Sequence, residues 1–208
     1  QKRINLFAVM QLRYNETLLI LKRALEEKRF GRIHLVQINV FWTRTSKYYS
    51  LDQWRGTKKL DGGTFLNQAI HYIDLLNWLF GTVDYVHAIT NKYLNIEFED
   101  TGVMNIKWKS GTLGSVSVSV LTYPQNLEAS ITVMGENGTA KISGKAMNMI
   151  EIWNFRNKKN YDTRIKKITN MTTSKLGNRH YDQYLNLEKF YSKKKYRLLT
   201  GKEALKSI

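Results

Sequence analysis

Not one cysteine occurs in the 208 residues, so no disulfide framework, thiolate metal site or cysteine nucleophile is available. Proline is nearly missing as well: Pro124 is the single copy, and no low-complexity linker or internal repeat divides the chain. No run of about 18 apolar residues occurs, which excludes an ordinary membrane-spanning helix. The start, Gln1-Lys2-Arg3, leads into an apolar run without a small-residue cleavage site, so it does not read as a signal peptide. Cytoplasmic localisation is the expectation. Acidic residues are scarce, 17 against 33 Lys and Arg, for a net charge of +16. The excess is uneven. Residues 151–208 carry 15 Lys/Arg and 5 Asp/Glu, much of the surplus in residues 156–175 and in Lys193-Lys194-Lys195. Such a field attracts anionic ligands, or nucleic acid without sequence preference, although a solvated lysine-rich face has the same composition.

What is present suffices for a core. Hydrophobic residues make up 42% and aromatic residues 12%, which argues against wholesale disorder. Residues 4–12 form an apolar, β-branched run expected to be a buried strand. Asn15 is placed to cap a helix over 16–30, which Gly31 ends, and a long alternating strand follows over 32–42. Residues 43–61 lack periodicity and read as a functional loop with one short helical turn. A strong helix is expected over 64–80, its apolar positions covering much of its circumference. Strands follow over 83–92, 101–109, 112–121, 128–134, 139–143 and 148–155. Ser110-Gly111 and Glu136-Asn137-Gly138 supply the hairpin turns. In Val116-Ser117-Val118-Ser119-Val120 the strict alternation gives one buried face and one polar face. Residues 156–177 read as a basic loop, and 178–192 and 202–208 as helices. The fold class expected is α+β: a mostly antiparallel (mixed) open sheet of about six strands with helices on one face. A partner subunit is the simple cover for the other face.

The densest polar cluster in apolar surroundings runs from Trp54-Arg55-Gly56-Thr57 to Asp61-Gly62-Gly63-Thr64-Phe65-Leu66-Asn67-Gln68-Ala69-Ile70-His71-Tyr72-Ile73-Asp74. On one continuous helix Asn67 and His71 share a face, a turn apart. Asp74, three residues after His71, is positioned to order the imidazole. Gly62-Gly63 leaves backbone N–H groups open to a ligand. An imidazole beside an amide or carboxylate can take a hydroxyl proton, because its pKa lies near working pH. By residue type alone, a histidine on an amphipathic helix is more often structural than catalytic.

The stretch FWTRTSKYYSLDQWRGTKKLDGGTFLNQAIHYIDLL, residues 41–76, resembles the signature of the Gfo/Idh/MocA oxidoreductases. Its elements are WR, then GG, then an acid or amide, then a His three residues before an Asp. Within that family it is most similar to the UDP-N-acetylglucosaminuronate 3-dehydrogenase type, with WRGT, DGG, NQ and IH. Arg13-Tyr14-Asn15, Gly31-Arg32-Ile33 and the closing Gly201-Lys202-Glu203-Ala204-Leu205-Lys206-Ser207 also fall where the family has them. The likeness covers nearly the whole chain and is specific in 41–76.

This resemblance implies a glyceraldehyde-3-phosphate dehydrogenase-like C-terminal domain over 13–208, used for substrate binding and oligomerisation. Residues 1–12 would be the last strand of a preceding nucleotide-binding domain. It implies NAD or NADP as cofactor, a sugar or UDP-sugar as substrate, and a homo-dimer or tetramer formed through the open sheet face. His71 would accept the proton of the oxidised hydroxyl. Asn67, where many members have Asp, would hold substrate or nicotinamide and as an amide cannot be a base. Trp54 and Arg55 would approach the cofactor, and Arg13, Tyr14, Asn15, Arg44, Tyr49 and Gln68 the substrate. For Tyr14, Trp42, Tyr48 and Tyr49, packing accounts for the residue type at least as well.

The family's G-x-G-x-x-G turn and its E-K-P lysine do not occur in these residues, so the expectation is a truncated piece that is inactive alone. Two other readings stay open. One is a non-catalytic oligomerisation or scaffold module of the same fold. The other is a basic nucleic-acid binder, against which stands the lack of any helix-turn-helix, zinc or RNA-recognition pattern. No specific nucleic-acid partner, membrane or metal site is expected, since His34, His71, His87 and His180 lack ligand spacing.

Overall fold

The computed structural model describes residues 5–169, 179–192 and 198–208, with the side chains of 166–169 and 179 left out of the description. Its centre is a seven-stranded sheet in the order β2-β3-β4-β1-β5-β6-β7. The strands are β1 (Ile33–Phe41), β2 (Val83–Asn91), β3 (Thr101–Trp108), β4 (Leu113–Ser119), β5 (Glu128–Gly135), β6 (Gly138–Ser143) and β7 (Met149–Phe155). All neighbours are antiparallel except β1 and β4, which run parallel with Ile38 opposite Val116. The sheet is therefore mixed and has one strand more than expected. The two-residue turn at Glu136-Asn137 and the turn at Gly111 (φ 84°) join hairpins as the sequence predicts.

One face of this sheet is a row of β-branched side chains: Val36, Ile38, Val40, Val116, Val118, Ile131, Val133 and Ile142 are all buried. Two helices lie against it, α1 (Glu16–Glu26) and α4 (Ile70–Phe80), contributing Leu18, Leu21 and Ala24, and Tyr72, Leu75, Leu76 and Leu79. Each such side chain withdrawn from water is worth roughly 1.5–3 kcal/mol, so this layer dominates stability. Its packing is close enough to need a missing side chain: a Cβ on Gly114 would run into the Trp108 ring. Gly114→Val should cost about 1–3 kcal/mol in urea unfolding; an unchanged midpoint would show the layer to be looser than this. On the opposite face, Gln37, Asn39, Ser115, Ser117, Ser119 and Thr132 stand beside Leu35, Val103 and Leu113, and no helix among the described residues covers them.

Several expectations are corrected. No strand forms over 4–12 within the described residues. Phe7 makes a lone bridge to Thr200, and a 3-10 helix, Gln11–Tyr14, takes the end of the run. The backbone there is held by the C-terminal segment, where Ala8 N–H donates to the Leu199 carbonyl and Gly201 N–H to that of Leu6, while Leu6 and Val9 stay exposed and Leu12 joins the core. The first helix stops at Glu26, and Lys28 and Gly31, both at positive φ, make the turn into β1.

The helix over 64–80 is two helices: α3 (Thr64–Asn67) and α4, with Gln68 and Ala69 between. Ala69 N–H reaches back five residues to the Thr64 carbonyl, and the Ala69 carbonyl then starts the second helix by accepting from Tyr72 and Ile73. A short helix, α2 (Ser46–Tyr49), fills part of the 43–61 loop. In the basic stretch expected as a loop, α5 (Asp162–Thr169) is helical, while 170–178 lie outside the described residues, as do Lys193-Lys194-Lys195. The chain closes with α6 (Arg179–Tyr191), α7 (Gly201–Ala204) and a 3-10 turn, Leu205–Ser207. No helix among the described residues is long and apolar enough to cross a membrane.

Candidate active site

Two groups of side chains attach to the first turns of α4 and the residues just before it. In the first, guanidinium groups and aromatic rings alternate. Arg44 lies 4.8 Å from the centre of the Trp42 ring and 5.1 Å from that of Tyr48. Arg55 lies 4.3 Å from Tyr48 and 4.6 Å from Trp54. Strand β1 carries the chain out to Trp42, and α2 brings Tyr48 back to Arg44, so that the guanidinium meets both rings. Cation–π contact at partly exposed rings is worth about 0.5–1 kcal/mol each, and it fixes where the cations point. Arg44 Nε also donates to Gln68 Oε1 at 2.9 Å, and Gln68 Nε2 donates to the Tyr48 hydroxyl at 3.2 Å. Arg55 Nε donates to Asp52 at 2.7 Å. The planar fork keeps further N–H groups beyond these bonds, so both residues retain donors for an anionic ligand.

The second group surrounds Asp74, whose side chain is 1% exposed. Arg13 donates to both its oxygens, Nε and Nη2 each at 2.7 Å, and the Ser207 hydroxyl donates to it at 3.3 Å. Asp74 thus does not hydrogen-bond the His71 ring, as the three-residue spacing suggested. The His71 ring is partly exposed, yet its Nδ1 is buried without a hydrogen-bond partner. Burial lowers its pKa, the nearby Asp74 charge opposing that and His180 reinforcing it. Nδ1 is thus closed to a ligand, and the exposed edge of the ring is the part that can meet a bound hydroxyl.

Asn67 stands before the helix break, so it does not share one helical face with His71; its amide donates to Asp61. Asp61 also accepts from Gly56 N–H at 2.7 Å, tying the 56–61 loop to α3. The glycine pair does not leave an open cradle. Phe65 N–H donates to the Glu99 carboxylate at 3.1 Å, the Thr64 hydroxyl to the Glu99 carbonyl at 2.6 Å, and a Cβ on Gly63 would meet that carboxylate. Close approach is the reason for glycine there, with protein rather than ligand as the neighbour.

Of the remaining candidates, Asn15 occupies the N-cap position of α1 but makes no cap bond; its amide donates to the Ala146 carbonyl at 2.9 Å, and the residue is buried. Tyr14 and Arg13 line a cavity of about 590 Å³ with Lys22, Trp78 and Lys206, on the side of Arg13 that does not include His71. Tyr49 is buried against Ile96 and Phe98, and burial, with the Asp61 charge, pushes its hydroxyl up to about 12. Trp54 is exposed at the end of the ladder. Residue types alone did not single out Asp61, Glu99 and Ser207, which hold the loop, the glycine turn and Asp74 in place. The alternation of Trp42, Arg44, Tyr48, Trp54 and Arg55 was the available signal for the ladder. Among the described residues, no three His, Asp or Glu side chains converge as a metal site would require.

Comparison with known proteins agrees with this arrangement. Residues 22–208 match the family described as "Oxidoreductase family, C-terminal alpha/beta domain" (GFO_IDH_MocA_C). The WlbA dehydrogenase from Chromobacterium violaceum, solved with NADH and UDP-GlcNAcA, is 48% identical with a TM-score of 0.90, over 98% of this chain and 57% of that one. The WlbA dehydrogenase from Bordetella pertussis, in complex with the same two molecules, is 46% identical with a TM-score of 0.93, over 98% and 59%. Levoglucosan dehydrogenase with NADH and L-sorbose, at 19% identity and a TM-score of 0.65 over 74% and 44%, shares the fold. The chain therefore spans a little over half the length of the WlbA dehydrogenases it matches. It belongs to the Gfo/Idh/MocA oxidoreductase family, as that family's C-terminal alpha/beta domain.

Proposed function

We propose that this chain is the substrate-binding and oligomerisation part of an NAD(P)-dependent dehydrogenase acting on a nucleotide sugar, with a uronic acid linked to UDP as the best-fitting substrate. The observation that carries this reading is His71: a partly exposed imidazole whose pKa is lowered by burial, at the start of the helix that follows Gln68, the residue that holds Arg44. The two WlbA dehydrogenases, nearly half identical over almost the whole chain, hold NADH and UDP-GlcNAcA.

In this reading His71 accepts the proton of the hydroxyl being oxidised, at the exposed edge of its ring. Arg44 takes an anionic group of the substrate, its angle fixed by Gln68, Trp42 and Tyr48. Asn67 orients substrate or nicotinamide through its amide, while Trp54 and Arg55 close on the cofactor. Arg13 secures Asp74 beneath His71, and Tyr14, Asn15 and Tyr49 shape the surroundings. The nicotinamide, when bound, would supply the hydride acceptor. Residues 1–12 would belong with a nucleotide-binding domain and 13–208 with the substrate domain, so these residues alone would bind substrate without turning it over. The uncovered sheet face, with Leu35, Val103 and Leu113 among serines, suits a second copy in a dimer or tetramer. The absence of cysteine fits the cytoplasm.

The test is NADH formation from NAD and UDP-GlcNAcA by the intact protein that carries this chain. Activity is expected, and Arg44→Ala should raise KM about ten- to a hundredfold with a smaller effect on kcat, as the loss of one charge-assisted contact does. No turnover with any UDP-sugar, in a folded protein that binds NAD, would overturn the reading and leave a scaffold of the same fold.

A further inference from the structure

The candidate active site lies around the start of α4 and uses none of the cations of residues 156–164. Three of these, Lys158, Lys159 and Arg164, gather with Arg23 at the end of α1. There a cleft of about 450 Å³ is lined by Arg23, Glu27, Lys158, Lys159, Tyr161 and Arg164 with Asn160. Four cations face one carboxylate, and that carboxylate is spoken for: Glu27 accepts from Arg23 at 2.8 Å and from the Tyr161 hydroxyl at 3.0 Å. Lys158, Lys159 and Arg164 have no ion-pair partner among the described residues.

Like charges on a free loop would spread apart. These are held. Arg29, whose side chain is 4% exposed, grips both oxygens of Asp162 at 2.7 and 2.9 Å and the Asn157 carbonyl at 2.9 Å. Asp162 also accepts from Trp153 Nε1 at 2.9 Å and from Lys159 N–H at 2.8 Å. Burial pushes the Asp162 carboxyl up, but these bonds outweigh it and hold it down at about 2. The Arg29 guanidinium is itself seated 4.1 Å from the Phe155 ring centre. A part-buried, bidentate pair thus anchors the backbone of residues 157–162 and keeps the cations that it carries close together, a repulsion that a bound anion would relieve. Arg23 lies 4.2 Å and Arg29 5.1 Å from the centre of the Tyr161 ring, so the ring is engaged by protein and recognition rests on charge.

We propose that this cleft is a binding site for a short chain of phosphates, of the kind carried free as an oligophosphate or on a nucleoside triphosphate. Its residues take no part in the candidate active site, and the site stands or falls independently of the dehydrogenase reading. Isothermal titration with sodium tripolyphosphate should give saturable binding of one anion per chain that weakens as salt is raised. Lys158→Glu with Lys159→Glu should weaken it by at least about tenfold, and Arg164→Gln, a milder change, by several fold. Lys92→Glu with Lys107→Glu, just after β2 and on β3 at the other side of the sheet from β7, should leave it unchanged. Equal affinity for ATP and tripolyphosphate supports recognition of the chain alone; tighter ATP binding supports a nucleoside carrier. The proposal is overturned by an absence of saturable binding, by affinity that the two cleft variants do not alter, or by binding of an oligonucleotide without binding of tripolyphosphate.

Discussion

His71→Ala in the intact protein is expected to lower kcat for NADH formation about 10²–10⁴-fold while leaving KM for the sugar nucleotide within a few fold. The split follows from the position of the ring. Only one edge of the ring is exposed, so it adds little to ground-state binding and matters at the moment the hydroxyl gives up its proton. The pH dependence has a definite sign. Burial depresses the His71 pKa below its ordinary 6.5, with Asp74 opposing and His180 adding to the shift. The neutral, proton-accepting form therefore persists to lower pH than in a free histidine. The acid limb of kcat/KM should fall below 6.5 and be absent in His71→Ala. Stability moves the same way: the unfolded chain binds the proton first, so this group's contribution is intact above 6.5 and is lost as pH falls toward the folded pKa. A variant with full activity and an unaltered acid limb would remove His71 from the chemistry.

Arg13→Ala should be the most destabilising single change near the site. It leaves the Asp74 carboxylate, 1% exposed, with only the Ser207 hydroxyl at 3.3 Å in place of two guanidinium bonds at 2.7 Å. Stranding a buried charge costs about 3–5 kcal/mol, or roughly 10 °C in Tm for a domain of this size. Replacing both partners, Arg13→Met with Asp74→Leu, should recover most of that loss, because no uncompensated charge remains. A melting temperature for Arg13→Ala equal to the parent's would show that water reaches Asp74 and that the pair holds nothing together. Activity separates structure from chemistry here. If Arg13 acts by holding Asp74 under the helix, the double variant regains stability before it regains turnover.

The strands were legible because their period-2 pattern coincides with a sheet that has helices on one face only. Val116, Val118 and Val120 are buried while Ser117 and Ser119 face outward, as alternation requires. The chain ends were not legible. Residues 4–12 are apolar enough for a strand, yet apolarity does not say whether a sheet or a neighbouring segment will pair with the backbone, and among the described residues it is the segment from Leu199 to Gly201. The helix break at Gln68-Ala69 escaped for a related reason. Ala69 is among the best helix formers, and its bridge-region backbone (φ −94°, ψ −5°) is imposed by the anchoring of α3 to Glu99 and Asp61.

At the site, the resemblance over residues 41–76, not residue type, is what named His71, Arg44, Arg55 and Gln68 as candidates. Sequence spacing misassigned their partners. Asp74 is three residues from His71 but pairs with Arg13, 61 residues away in the chain, and Glu99 closes a glycine turn 35 residues before it. Contacts of that kind depend on how α4 is rotated against the sheet, and a single sequence carries little of that information.

The most direct measurement is an NMR titration of the His71 imidazole, with and without UDP-GlcNAcA. A pKa below 6.5 in the free protein and a clear displacement of the ring resonances on adding the sugar nucleotide are predicted. An ordinary pKa with resonances indifferent to saturating ligand would contradict the account.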